Sequence, residues 1–194
     1  EWEGISKNIS QWERSPERYW FSVFGVPGSV GEPWGFRVGG HHIALSANIV
    51  NGEEVSILPL FFGANPAVIQ HGERKGERTL PEEEDWARSL LMSLDGDQTK
   101  LAVVDSVAPA DILSTNIRSV DPNIVPSGIG FDFLSDSQRT QLVQIVRHYV
   151  TRSADDLALN YWNELEASGF DDTSFAWAGP SEVGQGHYYA IRHP

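Results

Sequence analysis

Three histidines are the residues of this sequence best suited to metal binding or proton transfer. His41 and His42 are neighbours, and His187 lies near the other end of the chain. Imidazole nitrogens bind divalent metals and exchange protons near neutral pH. Neighbouring side chains on a strand point to opposite faces, so His41 and His42 bind one metal together only where the backbone bulges. The face of His42 also carries Ser46 and Asn48, which leave room, and we expect His42 to be the reactive histidine.

These histidines support two interpretations. In the first, His42 and His187 bind a divalent metal, with His41 as a further ligand, or act as catalytic acid and base. In the second, the three rings hydrogen-bond to the backbone and fill the sheet. The sequence contains neither His-x-His nor His-Glu-x-x-His, so no metal-binding spacing decides between them.

Five further residues are candidates for contact with a substrate. Arg37 belongs to the predicted catalytic group, because its guanidinium could hold a substrate carboxylate, although it could equally pair with an internal acid. Asn65 precedes a proline and either orients a ligand or forms a turn. Trp34, Trp177 and Tyr188 offer ring faces to a sugar or another ring, or else pack in the core.

Strand patterns dominate the first 62 residues. Residues 19–24 are aromatic and β-branched, and the alternation from Trp34 to Val38 has one apolar face. Asn51-Gly52 between two strand-like runs predicts a hairpin, in which a two-residue loop places Val50 opposite Glu53. Pro59 has no N–H to donate, so we expect the ladder to bulge or end there and to open a cleft beside the two histidines.

Helix patterns follow, and two strands close the chain. A capping box at Thr79 predicts a helix over about 81–94, residues 97–106 could form a short second helix, and Ser135 with Gln138 begins a third. A fourth helix is capped by Ser153 and ends at Gly169. Residues 175–177 and 187–191 then read as two strands joined by a turn.

The order of these elements predicts the fold class. Strands first, helices next and strands last indicate an α+β fold rather than a parallel βαβ sheet. We expect a mainly antiparallel, twisted sheet with the Asn-Gly hairpin, packed against three or four helices. A chain of 194 residues fits a single domain spanning 1–194 with one sizeable core.

Composition restricts the partners. The chain has 14 Lys and Arg against 27 Asp and Glu, a net charge of −13, so we expect it to bind neither nucleic acid nor an anionic membrane. It has no cysteine, which excludes disulfides and thiolate chemistry. Without a signal peptide or a long apolar run it is expected to be soluble. The sequence indicates neither the compartment nor the oligomeric state.

Several separate blocks of the sequence match one pattern: Tyr19-Trp-Phe-Ser-Val-Phe-Gly25, Pro33-Trp-Gly-Phe-Arg37, Gly40-His-His42, Pro59-Leu-Phe-Phe-Gly-Ala-Asn-Pro66, Phe175-Ala-Trp-Ala-Gly-Pro180 and His187-Tyr-Tyr189. Together they resemble the domain of unknown function family 3500 (DUF3500), which is marked by a Gly-His-His motif and has no assigned activity. The resemblance covers roughly residues 14–194, and the family's members are usually longer than this chain. Two positions depart from the pattern: Ser46 stands where Asn is usual and Ala190 where Arg often occurs.

Two functional hypotheses remain from the sequence. The first is a histidine-based site, with or without a divalent metal, that performs a hydrolytic or oxidative reaction on a small or sugar-like molecule. The second is a non-catalytic ligand-binding or scaffold domain with an aromatic recognition surface. The Gly-x-Ser-x-Gly elbow and the Gly-Lys-Ser/Thr phosphate loop are absent, which disfavours a serine hydrolase or a nucleotide-binding protein.

Overall fold

The computed structural model describes residue 15 and residues 17–113 and 127–193. The described residues up to Pro81 form one compact unit, and those from Glu82 onward form a second. Each unit contains one β-sheet, and the helices belong to the second unit. That residues 1–194 fold as one domain stays a prediction.

The first unit is an antiparallel meander. Its strands are β1 (Trp20–Phe24), β2 (Trp34–Gly40), β3 (Ile43–Val50) and β4 (Glu54–Phe62), and they lie in that order across the sheet. The predicted strands are therefore confirmed in type and in approximate position, except that residues 41 and 42 lie between β2 and β3.

The connection between β3 and β4 contains the Asn-Gly pair, but the predicted register is wrong. Both Asn51 and Gly52 have positive φ, 55° and 77°, as a tight turn requires. The Glu53 N–H donates to the Val50 carbonyl at 3.2 Å. Val50 nevertheless pairs with Glu54 rather than Glu53, so the loop has three residues and the pairs from Val50 to Ala47 are shifted by one. Beyond Ser46 the shift is two residues.

Pro59 interrupts the ladder as predicted, but the strands do not splay apart beyond it. Two residues of β4, Leu58 and Pro59, lie opposite Ser46 alone, and pairing resumes at Leu60. The bulge absorbs the missing N–H locally, so the ladder continues to the last pair, Ile43 with Phe62. The expected cleft beside the histidines does not arise from strand separation.

Four α-helices belong to the second unit. The first agrees with the predicted span of 81–94, whereas the second ends early because residues 103–105 continue as a strand. The helices are α1 (Pro81–Ser93), α2 (Gly96–Ala102), α3 (Asp136–Val150) and α4 (Asp155–Ser168). Among the described residues, no helix is both long enough and apolar enough to cross a membrane.

Local residues explain where α3 begins and where α4 ends. The capping box predicted for α3 is present, with the Ser135 N–H donating to Gln138 Oε1 at 2.8 Å. The predicted cap of α4 is wrong: the Ser153 hydroxyl donates back to the Val150 carbonyl, and Ala154 occupies the N-cap position. Gly169, with φ of 77°, ends α4 as predicted.

The second sheet is built around one central strand. Its strands are β5 (Val103–Asp105), β6 (Ile129–Gly130), β7 (Ser174–Ala178) and β8 (Tyr188–Arg192). β7 pairs along its length with antiparallel β8, and on its other edge with parallel β5 and antiparallel β6. The protein is thus an α+β protein whose sheets are mainly antiparallel.

The two faces of the second sheet have different side chains. Phe175 and Trp177 point to one face, are fully buried and belong to the core formed with Leu90, Leu142 and other helix residues. Because side chains alternate along a strand, Ala176 and Ala178 point to the opposite face. The register places Ala190 and Tyr188 beside these two alanines. One face is therefore filled by large rings, and the other has a floor of small side chains.

Candidate functional site

The two neighbouring histidines lie in a turn, and the prediction that they lie on a strand is wrong. Gly40 pairs with Ile43, so His41 and His42 form the connection between β2 and β3. Strand alternation does not apply in a turn, and the two rings lie side by side with centroids 4.4 Å apart. The Tyr19 ring lies 5.2 Å from His41. A Cβ atom at Gly40 would clash with the Tyr19 ring, so glycine makes room for this ring.

The other candidates of the first unit lie at separate positions along its strands and loop. Arg37 is exposed on β2, between Ser22 of β1 and Ser46 of β3. Trp34 begins β2 and is half-buried, and Asn65 is exposed after β4. Trp34 and Arg37, three positions apart on one strand, point to opposite faces.

The predicted divalent-metal site has no preformed set of ligands in the part of the chain that the structure describes. Within residues 15, 17–113 and 127–193, no three His, Asp or Glu side chains are grouped closely enough to hold an ion. His41 and His42 belong to the first unit, whereas His187 belongs to the second. Metal binding by His41, His42 and His187 stays a prediction.

The His187 ring is held firmly in one orientation. It stacks on the buried indole of Trp177, with centroids 4.7 Å apart and planes within 4° of parallel. Its Nδ1 lies 3.1 Å from the Gln185 carbonyl. A carbonyl only accepts hydrogen bonds, so Nδ1 carries the proton, and Nε2 of the neutral ring is the acceptor. This is the orientation that an acid–base or metal-binding histidine needs.

Trp177 is mainly a packing residue. Its indole N–H donates to the Gly179 carbonyl at 3.0 Å, and its ring is fully buried. The Tyr189 ring lies nearly parallel to it at 6.3 Å, and the Arg88 guanidinium lies 5.6 Å from the ring centre. Of the two uses predicted for Trp177, the structure places the side chain in the core, while the residue also contributes to a pocket.

That pocket has a volume of about 340 Å³ and lies against the alanine face of the second sheet. Ala176 and Ala178 form its floor, and Tyr188 borders it from β8. β5 and the segment after it supply most of the remaining wall. The lining is mostly apolar. The lining residues are Val104, Asp105, Val107, Pro109, Leu113, Ala176, Trp177, Ala178 and Tyr188.

Sequence reasoning identified Trp177 and Tyr188 as ligand-contacting candidates but missed Asp105 and the apolar residues after it. A signal for the pocket was present: in Phe175-Ala-Trp-Ala178 large rings alternate with alanines, which predicts one filled face and one open face. The strand character of residues 103–105 was hidden because they continue directly from a helix.

A second constellation in this unit is a half-buried polar cluster. The Tyr149 and Tyr189 hydroxyls hydrogen-bond to each other, and the Tyr149 hydroxyl also donates to Glu83 Oε2 at 3.3 Å. Arg152 pairs with Glu83 and lies 4.2 Å from the centre of the Tyr149 ring. Burial raises the pKa of Tyr149 and the pKa of Tyr189 above the usual value of 10.0. Both phenols therefore stay protonated at neutral pH, which suits them to a structural role.

The fold and site together describe an α+β protein with an apolar pocket on one sheet and an oriented histidine on its other face. The sequence matches the family described as "Protein of unknown function (DUF3500)" over residues 3–194, and the chain belongs to this family. Neither the curated proteins nor the solved structures gave a significant match.

Proposed function

We propose that this protein is a ligand-binding protein and that its second unit binds a small molecule with a flat, largely apolar body in the pocket on the alanine face. The single observation that carries the proposal is the pocket itself. At about 340 Å³ it falls within the size range of small-molecule sites in proteins.

The composition of the wall supports this assignment. Small-molecule sites are lined mainly by apolar side chains, with a few polar groups that orient the ligand. Here Val104, Val107 and Pro109 supply apolar walls, while Tyr188 and Asp105 supply the polar groups. A flat body suits a floor of two alanine side chains, since Ala176 and Ala178 extend only one carbon from the sheet.

The histidine-based hypothesis is the second candidate, and the orientation of His187 is the observation that favours it. Its Nε2 is presented by a ring that stacks on Trp177 and is anchored through Nδ1. In this alternative the ring would act on a small or sugar-like substrate, with or without a divalent metal. Metal analysis of the purified protein, followed by the His42→Ala and His187→Ala variants, tests it.

Binding of 2-(1-naphthyl)ethanol to the full chain tests the ligand-binding proposal, with an NMR titration as the readout. We expect saturable binding that the Val104→Trp variant weakens by about tenfold or more, because the new indole fills the pocket. Val104 is 43% exposed, so the strand should tolerate the change. The matched control is Val183→Trp, at an exposed valine outside the lining, which should bind like the wild type.

Two results would overturn the proposal. One is the absence of saturable binding to the wild-type chain, and the other is equal binding by the Val104→Trp and Val183→Trp variants. Methyl glucoside serves as the hydrophilic comparison. If it binds and the naphthyl alcohol does not, the pocket is not a site for apolar ligands.

A further inference from the structure

The pocket wall is charged at one place. Among the described residues that line it, Asp105 alone carries a charged side chain. The remaining lining residues are aliphatic or aromatic. A ligand that fills this pocket therefore meets a carboxylate at one point of an otherwise uncharged wall.

Asp105 is held in place from two sides. Its carboxylate Oδ1 accepts the Val107 N–H at 2.9 Å, and its backbone carbonyl accepts the Gly179 N–H at 3.0 Å. Within the described residues, Oδ2 has no hydrogen-bond partner from the protein. The carboxylate is thus oriented by the backbone while one oxygen remains available to a ligand.

Two further features favour a positively charged ligand: the net charge of the chain and the aromatic ring beside the pocket. The net charge of −13 favours the approach of cations and disfavours anions. An ammonium group forms a strong, charge-assisted hydrogen bond with a carboxylate. The face of an aromatic ring such as Tyr188 also attracts a cation.

We propose that the pocket selects amines: the ligand combines a flat apolar body with a protonated amino group, and the ammonium binds the Asp105 carboxylate. This assignment rests on the proposed ligand-binding function and deepens it. Asp105 is a specificity-determining residue, whereas the alanine floor and apolar walls bind the body of the ligand.

Three probes that share one naphthyl body test this selection: 2-(1-naphthyl)ethylamine, 2-(1-naphthyl)ethanol and the carboxylate of 1-naphthaleneacetic acid. The 194-residue chain is titrated with each by NMR at pH 7. We expect the amine to bind about tenfold more tightly than the alcohol, as a charge-assisted hydrogen bond implies, and the acid to bind more weakly than the alcohol.

The decisive variant is Asp105→Asn. The Asn side-chain oxygen can still accept the Val107 N–H, so the local structure is kept while the charge is removed. We expect this variant to lose most of the preference for the amine, because the net negative charge and the Tyr188 ring alone attract a cation only weakly. The matched control is Asp111→Asn, since Asp111 lies in the same segment, accepts the Ile112 N–H at 2.7 Å and does not line the pocket. It should keep the preference for the amine.

The outcomes separate this inference from the proposed function. Saturable binding of the alcohol without preference for the amine overturns amine selection and leaves the pocket as a ligand site. An amine preference that persists undiminished in Asp105→Asn, or is lost in Asp111→Asn, also overturns it. If none of the three probes binds the wild-type chain, the proposed function itself fails.

Discussion

The two sheets of this protein have the same number of strands in the described residues but differ in how their side chains are covered. In the first unit, Trp20, Phe21 and Phe24 of β1 are 54%, 66% and 59% exposed. In the second unit, all five residues of β7 are buried. The aromatic strands β1 and β7 therefore differ in burial, although their sequences are similar in type.

The comparison shows that the sites depend on what covers each sheet. The helices of the second unit cover the face that carries Phe175 and Trp177, which leaves the alanine face for the pocket. In the first unit, His41 and His42 lie in the turn between β2 and β3. The conformation of this turn, rather than the face of the sheet, brings their two rings together. Three predictions use this difference.

The largest change in the free energy of unfolding is expected when a tryptophan of the second sheet, rather than one of the first, is replaced by alanine. Trp177→Ala deletes a fully buried ring and should lower the free energy of unfolding by about 3–5 kcal/mol. Trp20→Ala deletes a ring that is 54% exposed and should cost less than about 1 kcal/mol. Urea unfolding followed by circular dichroism measures both. Equal losses would show that the two sheets are not covered differently.

A smaller effect is expected from one ion pair in each unit. Glu83 and Arg152 have side chains only 19% and 12% exposed, so Glu83→Gln leaves a half-buried guanidinium without a carboxylate. We expect a loss of about 1–3 kcal/mol in the free energy of unfolding. Glu77→Gln is the control: its pair with Arg74 is 52% and 72% exposed and should contribute less than about 1 kcal/mol. Urea unfolding measures both losses. A greater loss of free energy of unfolding in Glu77→Gln than in Glu83→Gln would contradict the difference between the two units.

The smallest effect concerns how the free energy of unfolding falls at alkaline pH. Burial raises the pKa of Tyr189 and of Tyr149, so the folded protein holds these protons more tightly than the unfolded chain. The stabilisation is complete below the ordinary pKa of 10.0 and is lost as the pH rises above it. Tyr189→Phe should reduce this loss by about 1 kcal/mol between pH 9 and pH 11. Thermal unfolding across that range tests it, and parallel pH profiles for variant and wild type would refute the contribution.

Local signals in the sequence predicted most elements of both units. Alternation identified β2, the capping box identified the start of α3, and the Asn-Gly pair identified a turn between β3 and β4. These features depend on a few neighbouring residues. The register of the hairpin was wrong by one because loop length depends on how the strands twist and pair, which the two turn residues do not fix alone.

The candidate site was predicted only in part. Tyr188 and Trp177 were identified from their ring types, and Arg37, Trp34 and Asn65 lie at separate positions of the first unit. Asp105 was missed because nothing in its neighbourhood marks a site. Its position in the pocket wall follows from the pairing of β5 with β7, two strands about 70 residues apart in sequence.

By itself, the sequence determined the fold class, the order of the elements, the family and the excess of negative charge, because these depend on composition and short-range patterns. Only the tertiary structure decided that His41 and His42 share a turn, that Trp177 is buried, and that Asp105 meets Tyr188 at one pocket. The physical reason is that such contacts join residues from different strands, and their pairing depends on packing over the whole unit rather than on any local preference.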